Sequence, residues 1–267
     1  MSGLAGIYWT LINTALAEQM QYRAAMVIWL IGRVIQPVVY LAVWTIVAQD
    51  HGGTAGGYTV PEFAAYFIVV MMVEHFTFTW NMFEMEYRVR TGEFSPLLLQ
   101  PLHPIHRDVA RNISYKLLTT WVMLPTALIM AAFYRPHFNW VAWSVTACFL
   151  SMALAFAMRF FLEWALALAA FWTTRVTAFN QVYFLALLFL SGRMAPMALM
   201  PEWVQGLAYA LPFRWMVAFP AELFLGHLSP VEAMEGLRMQ GLWLLLGWAL
   251  LALVWRRGVK RYAAVGS

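Results

Sequence analysis

The sequence predicts an all-α membrane protein, and three observations carry that prediction. Apolar residues make up 63% of the 267, charged residues only 11%, and the apolar ones gather into runs of membrane-crossing length. Lipid is the expected solvent for most of such a chain. A helix needs roughly 20 residues to cross the hydrocarbon core, so about six transmembrane helices fit, with short connections and no large soluble domain. Residues 1–267 therefore read as one membrane domain.

In residues 1–22, Leu4, Ile7, Leu11 and Ala15 recur at helical spacing, with Thr14, Glu18 and Gln21 on other faces. That is the pattern of an amphipathic helix lying in the membrane interface. The stretch lacks the charged, apolar and small-residue succession of a cleaved signal peptide. A first span from Ala24 to Ala48 carries Arg33 and Pro37 and ends in the turn-rich loop Gln49-Asp50-His51-Gly52-Gly53. The second span covers about 63–83, residues 84–113 read as a polar connection, and the third span is 114–134. After the turn Arg135-Pro136-His137, the apolar stretch from Trp140 to Trp172 amounts to about 50 Å of helix, longer than a bilayer core. It must tilt or project, and it ends at Thr173-Thr174-Arg175.

A fifth apolar segment opens at 178–191, but Pro196, Pro201, Pro212 and Pro220 cut the chain beyond it into pieces too short to cross. Broken backbone at membrane depth is tolerated only inside protein or along a cavity, so 195–226 is expected to form a re-entrant or interfacial helical hairpin. The last span, 239–255, stops at Arg256-Arg257. Trp80, Trp121, Trp140, Trp172 and Trp203 fall near the expected boundaries, as an aromatic belt would place them.

Basic residues set the orientation. Arg23, Arg88, Arg90, Arg107, Arg111, Lys116, Arg175, Arg256, Arg257, Lys260 and Arg261 flank one side, against Arg135, Arg193, Arg214 and Arg238 on the other. The positive-inside rule then puts both termini and the 84–113 connection in the cytosol, with the hairpin outside. The net charge of +4 has no soluble basic face behind it, so nucleic acid is not an expected partner. Cys148 stands alone in an apolar run, which leaves no disulfide framework or thiolate metal cage.

No G-x-x-x-x-G-K-[ST], G-x-S-x-G, H-E-x-x-H or C-x-x-C occurs, so the chain has no ATPase motif and no recognisable catalytic or cofactor-binding set. The cytosolic connection is more informative. Ser95 before Pro96 reads as a helix cap, and Pro104 can open a second short helix with Ile105 and Val109 on one face. Such an element suits docking of another protein, and it equally suits anchoring on anionic lipid. Within the spans, Arg33 and Glu74 lie at similar depth and are expected to pair, with a substrate or proton site at Glu74 and His75 as the rival. Arg159 and Glu163, spaced i, i+4, are expected to pair along one helix.

The run Arg90-Thr-Gly92-Glu93-Phe94-Ser95-Pro96-Leu97-Leu98-Leu99-Gln100-Pro101 is joined downstream by Leu190-Ser191-Gly192 through Pro196, Pro201-Glu202-Trp203, Leu211-Pro212-Phe213-Arg214 and Phe219-Pro220-Ala221-Glu222-Leu223-Phe224-Leu225-Gly226. Together these resemble permease subunits of type-2 ABC transporters, and more narrowly the bacterial branch with a viologen-exporter-like permease, in which two different permeases often share one ATPase. The resemblance covers nearly the whole chain. It implies a permease dimer, with the same or a related chain as second permease, and two cytosolic ATP-binding subunits that hold the ATP and Mg. It also implies a bacterial plasma membrane location. ATPase docking would fall to Arg88, Arg90, Glu93, Phe94, Leu97, Leu98, Leu99, Leu102, Ile105 and Arg107 in the coupling loop. The external gate would be formed by Pro196, Pro201, Trp203, Pro212, Phe213 and Pro220. The expected function is ATP-driven export of an amphiphilic, hydrophobic or cationic compound. The alternatives are an ATP-independent secondary transporter or channel using Glu74 and Arg159, and an intramembrane enzyme using His75, Glu74 or Glu163.

Overall fold

The computed structural model describes residues 3–173 and 176–262, without the side chain of Arg23; Thr174 and Arg175, expected in the turn after the fourth span, lie outside the described residues. Helix α1 (Leu4–Gln21) breaks at Tyr22 into α2 (Arg23–Asp50), and a two-residue antiparallel ribbon, β1 (Thr54–Ala55) with β2 (Tyr58–Thr59), leads into α3 (Val60–Thr77). Then come α4 (Asn81–Thr91), the single turn α5 (Ser95–Leu98), and α6 (Pro104–Tyr134). Helix α7 (Ala142–Ala167) tightens into a 3₁₀ turn at Leu168–Phe171 and is followed by α8 (Thr177–Leu190). The hairpin holds α9 (Glu202–Ala210), α10 (Phe213–Met216) and α11 (Ala218–Phe224), and α12 (Pro230–Arg261) closes the described chain.

Helix starts follow local chemistry. Thr59 and Glu62 form a capping box ahead of α3, with Pro61 in its first turn, and Ser229 with Glu232 does the same for α12. His103 accepts the Ile105 N–H at 3.2 Å, and Pro104 occupies the first position of α6, where a missing N–H costs nothing.

Among the described residues, five helices are long and apolar enough to cross a membrane: Ala24–Asp50, Val60–Thr91, Pro104–Tyr134, Ala142–Phe171 and Pro230–Arg261. The second of these is the buried axis of the bundle, with α3 enclosed from Phe63 to Val73 by α2, α6, α7 and α11. Helix α8, at 14 residues, is about 21 Å long and cannot cross alone.

Several expected boundaries move. The connection expected over 84–113 is mostly helix: α4 extends the second span to Thr91, and α6 begins at Pro104, leaving only 92–103 outside long helices. Residues 84–111 look like a loop in sequence because they are charged, but the charges pair with one another. Arg88 meets Asp108 at 2.7 Å and Glu84 at 3.1 Å, and Arg111 meets Glu84 at 2.5 Å and Glu18 at 2.6 Å. Pro104 opens this long helix rather than a short one. Ser95 does not cap α5; its hydroxyl bonds the Tyr262 hydroxyl at 2.8 Å.

Helix α1 packs lengthwise on α6 through Tyr8–His106 (2.8 Å), Ser114 to the Ile12 carbonyl (3.0 Å) and Glu18–Arg111, while Leu4 and Trp9 point away. Trp80 sits at the α3–α4 break, packed edge-on against Trp29, and not at a span boundary. The loop ends sort into two groups. Gly56 abuts Leu199, Tyr58 abuts His227, and Gly226 abuts Asn139 at one end of the bundle; Phe94, Phe171 and Tyr262 meet at the other.

Candidate functional site

A polar layer crosses the middle of the bundle. Helix α3 stops at Thr77 because Phe78 adopts an extended backbone (φ −60°, ψ 145°), and α4 restarts three residues later. The break frees a carbonyl that helix would otherwise consume: Phe78 accepts the Lys116 ammonium at 2.8 Å. Thr79 donates to Glu163.

Arg159 is fully enclosed and holds both carboxylates of the layer. Its Nε donates to Glu163 Oε1 at 2.7 Å and its Nη1 to Glu74 Oε1 at 3.1 Å, while Tyr183 donates to Glu163 at 3.1 Å. A charge in hydrocarbon is tolerated only when paired, and this cluster shows such pairing. The Arg159–Glu163 pair forms as their i, i+4 spacing requires.

The expected Arg33–Glu74 pair does not form. The Arg33 guanidinium lies over the Phe78 ring, 3.4 Å from its centroid, and Glu74 turns to Arg159 and to Arg193, whose Nε is 3.7 Å away. Equal depth in the membrane does not fix the direction in which two side chains point around their helices. His75 is buried beside Thr120, at 3.1 Å, away from the carboxylates, so the rival Glu74–His75 site is not assembled.

Arg193, which the sequence places in an outer loop, reaches this layer because α8 is too short to carry the chain across, so Ser191 and Gly192 turn at depth. Gly192 takes a left-handed conformation (φ 84°) and its carbonyl accepts the Tyr66 hydroxyl at 2.6 Å. No spacing in the sequence marks Arg193, Tyr183 or Thr79 as members of the layer.

The 92–103 segment forms a second site at one end of the bundle. Gly92 ends α4 with φ 80°, and the Phe94 N–H returns to the Arg88 carbonyl at 3.1 Å. Phe94 is wholly buried among Phe171, Trp255 and Tyr262. The His103 ring lies 4.3 Å from that of Trp255, and Trp164 donates to Asp108 at 2.9 Å. Burial pushes the His103 imidazole below its ordinary pKa, with the neighbouring His106 adding to the effect. Of the residues expected to dock a partner, Arg88, Phe94 and Leu97 are buried in the fold. Leu98, Leu102, Ile105 and Arg107 are half-buried, and Arg90, Glu93 and Leu99 are exposed, Leu99 at 88%.

The broken segment at the opposite end folds back into the protein. Residues 212–223 are buried, Ala218 N–H bonds the Ser191 carbonyl at 2.9 Å, and Gln240 of α12 donates to the Trp215 carbonyl at 2.8 Å. Arg214 grips Glu222 through its two terminal nitrogens, Nη1 and Nη2, at 3.1 and 2.7 Å. Pro196, Pro212, Phe213 and Pro220 are buried in this element, whereas Pro201 and Trp203 are exposed. The prolines break the helix, and the freed backbone groups find partners in α8 and α12. Among the described residues no group of three or more His, Cys, Asp or Glu could hold a metal ion.

Comparison with curated proteins and with solved structures finds no match. The family model described as ABC-2 family transporter protein matches residues 7–266, nearly the whole of this helical chain with its apolar spans. The chain belongs to the ABC-2 family of transporter proteins, as a multi-pass membrane protein.

Proposed function

We propose that this chain is the membrane permease subunit of an ATP-driven exporter of the bacterial plasma membrane, in the viologen-exporter-like branch, moving an amphiphilic or hydrophobic compound outward. It works with two ATP-binding subunits and a second permease. Both termini face the cytosol, and α8 with the broken segment after it makes a sixth crossing. The observation that carries the reading is the end of α4 with the 92–103 segment: Phe94 packs on Phe171 of the 3₁₀ turn after α7 and on Trp255 of α12, and Leu97 is buried, while Arg90, Glu93 and Leu99 are exposed and free to meet a partner.

A push on this segment passes to Phe171 and Trp255, and through Asp108 to Trp164, one residue from Glu163 and the polar layer. The cytosolic side then closes while the hairpin over 195–226 opens outward. Leu99→Asp tests this, because a side chain 88% exposed can be changed without disturbing packing. The permease should still insert and still bind its partner permease, but it should no longer stimulate a copurified ATPase. Full stimulation by the variant would remove the docking surface from the proposal.

A further inference from the structure

Arg33 and Arg193 face a cleft between α2, α3 and the turn after α8, walled also by Gln36, Tyr40, Glu74 and Met123. The cleft measures about 30 Å³, room for roughly two water-sized groups. Its donors outnumber its acceptors. Arg33 has the Phe78 ring face for a neighbour and, among the described residues, no hydrogen-bond acceptor. Arg193 gives one nitrogen to Gln36 Oε1 at 2.9 Å and only approaches Glu74, at 3.7 Å. Glu74 is already engaged by Arg159, whose other carboxylate, Glu163, lies on the far side of that guanidinium.

Three guanidiniums, Arg33, Arg159 and Arg193, therefore meet two carboxylates, Glu74 and Glu163, and arginine does not give up its proton. Lys116, held by the Phe78 carbonyl and over the Phe156 ring, brings no negative charge to the balance. An unneutralised positive charge at mid-membrane depth calls for a counter-ion.

We propose that this cleft receives the anionic group, a carboxylate or a phosphate, of the amphiphile that the permease moves; this rests on the exporter reading above. Two oxygens of such a group fill the space between the Arg33 and Arg193 forks, an arrangement that guanidinium geometry favours. The apolar part lies outside, along the exposed stripe of Ile35, Val39 and Val43 on α2. A cationic head is repelled by the same charges.

The probe is dodecyl phosphate, with dodecyltrimethylammonium and dodecyl maltoside as cationic and neutral comparators, added to the full chain in phosphatidylcholine nanodiscs. The expected result is saturable binding of the phosphate, about tenfold or more tighter than either comparator. Arg33→Gln and Arg193→Gln each weaken phosphate binding by about tenfold and leave the comparators unchanged, and Arg193→Lys retains part of it. Among the described residues R33Q gives up no hydrogen bond or ion pair, and its loss of the Phe78 ring contact is offset by removal of an unneutralised buried charge, so it should melt close to the parent protein, which separates lost binding from lost folding.

Displacement by phosphatidylglycerol placed in the disc identifies a lipid headgroup as a source of the anion and supports the proposal. Displacement by inorganic phosphate alone would overturn its amphiphile part. Equal binding of the three probes, or unchanged phosphate binding in both Gln variants, overturns it entirely. ATP-driven export is assayed separately with the ATPase present: export absent with anion binding intact counts against the exporter reading, and anion selectivity absent with export intact counts against the cleft.

Discussion

Arg159 has no exposed surface, and both of its carboxylate partners come from positions where lipid-facing helices would carry apolar groups. Removing one member of a buried pair leaves an uncompensated charge, which typically costs about 3–5 kcal/mol. Glu163→Gln should therefore destabilise the protein by about that amount, read as a lower melting temperature in detergent. The double swap Arg33→Glu with Glu74→Arg should not restore stability, because Glu74 is held by Arg159 and Arg193; recovery in that variant would reinstate an Arg33–Glu74 pair. Arg159–Glu163 was legible in the sequence because helix geometry puts i and i+4 on one face. The Arg33 contact with Phe78 was not, since it depends on α3 ending at Thr77, and nothing near Phe78 announces a break.

The 92–103 segment is set by a few contacts whose protonation and shape can be tested. His103 Nδ1 accepts the Ile105 N–H, so the folded segment favours neutral imidazole, and burial lowers its pKa accordingly. A histidine whose folded pKa lies below its unfolded value near 6.5 contributes stability at neutral pH and loses it as pH falls through 6.5. The protection of the 92–103 amides against exchange, taken relative to the intrinsic rate at each pH, should fall between pH 7 and pH 5, and His103→Asn should flatten that dependence. Gly192→Ala should destabilise α8 against the hairpin: its φ is 84°, and an added Cβ would stand 2.7 Å from the Tyr66 hydroxyl and 2.8 Å from Ala218 Cβ. Loss of melting temperature in that variant, without effect on the 92–103 exchange, locates the damage. The polar look of residues 84–91 and 104–111 concealed these helices, because charges paired between α1, α4 and α6 cannot be told from solvated ones before the pairs are known.

Long apolar runs at the start, middle and end of the chain gave away α2, α7 and α12, since nothing but lipid accounts for them. The prolines from 196 to 220 likewise marked where helix had to fail, and the structure buries residues 212–220 while leaving most of α9 exposed. What composition could not supply is depth: α8 looks like the start of a full crossing, and only its length of 14 residues brings Arg193 inward. Sidedness is open to direct test. Thr54→Cys and Gln100→Cys, both exposed and at opposite ends of the bundle, should react with an impermeant thiol reagent from opposite faces of the membrane, Gln100→Cys from the cytosolic face. The native Cys148, 1% exposed within α7, should stay silent in that assay.

The bond between Ser95 and Tyr262 joins residues 167 positions apart. During synthesis, Phe94 leaves the ribosome long before Trp255 and Tyr262 exist to enclose it, so the segment acquires its shape only when α12 has been made and inserted. A chain truncated by premature termination would carry every residue of 92–103 and still present no ordered surface there. The newly made chain would thus withhold the docking surface proposed for this segment until translation had delivered nearly all of the protein.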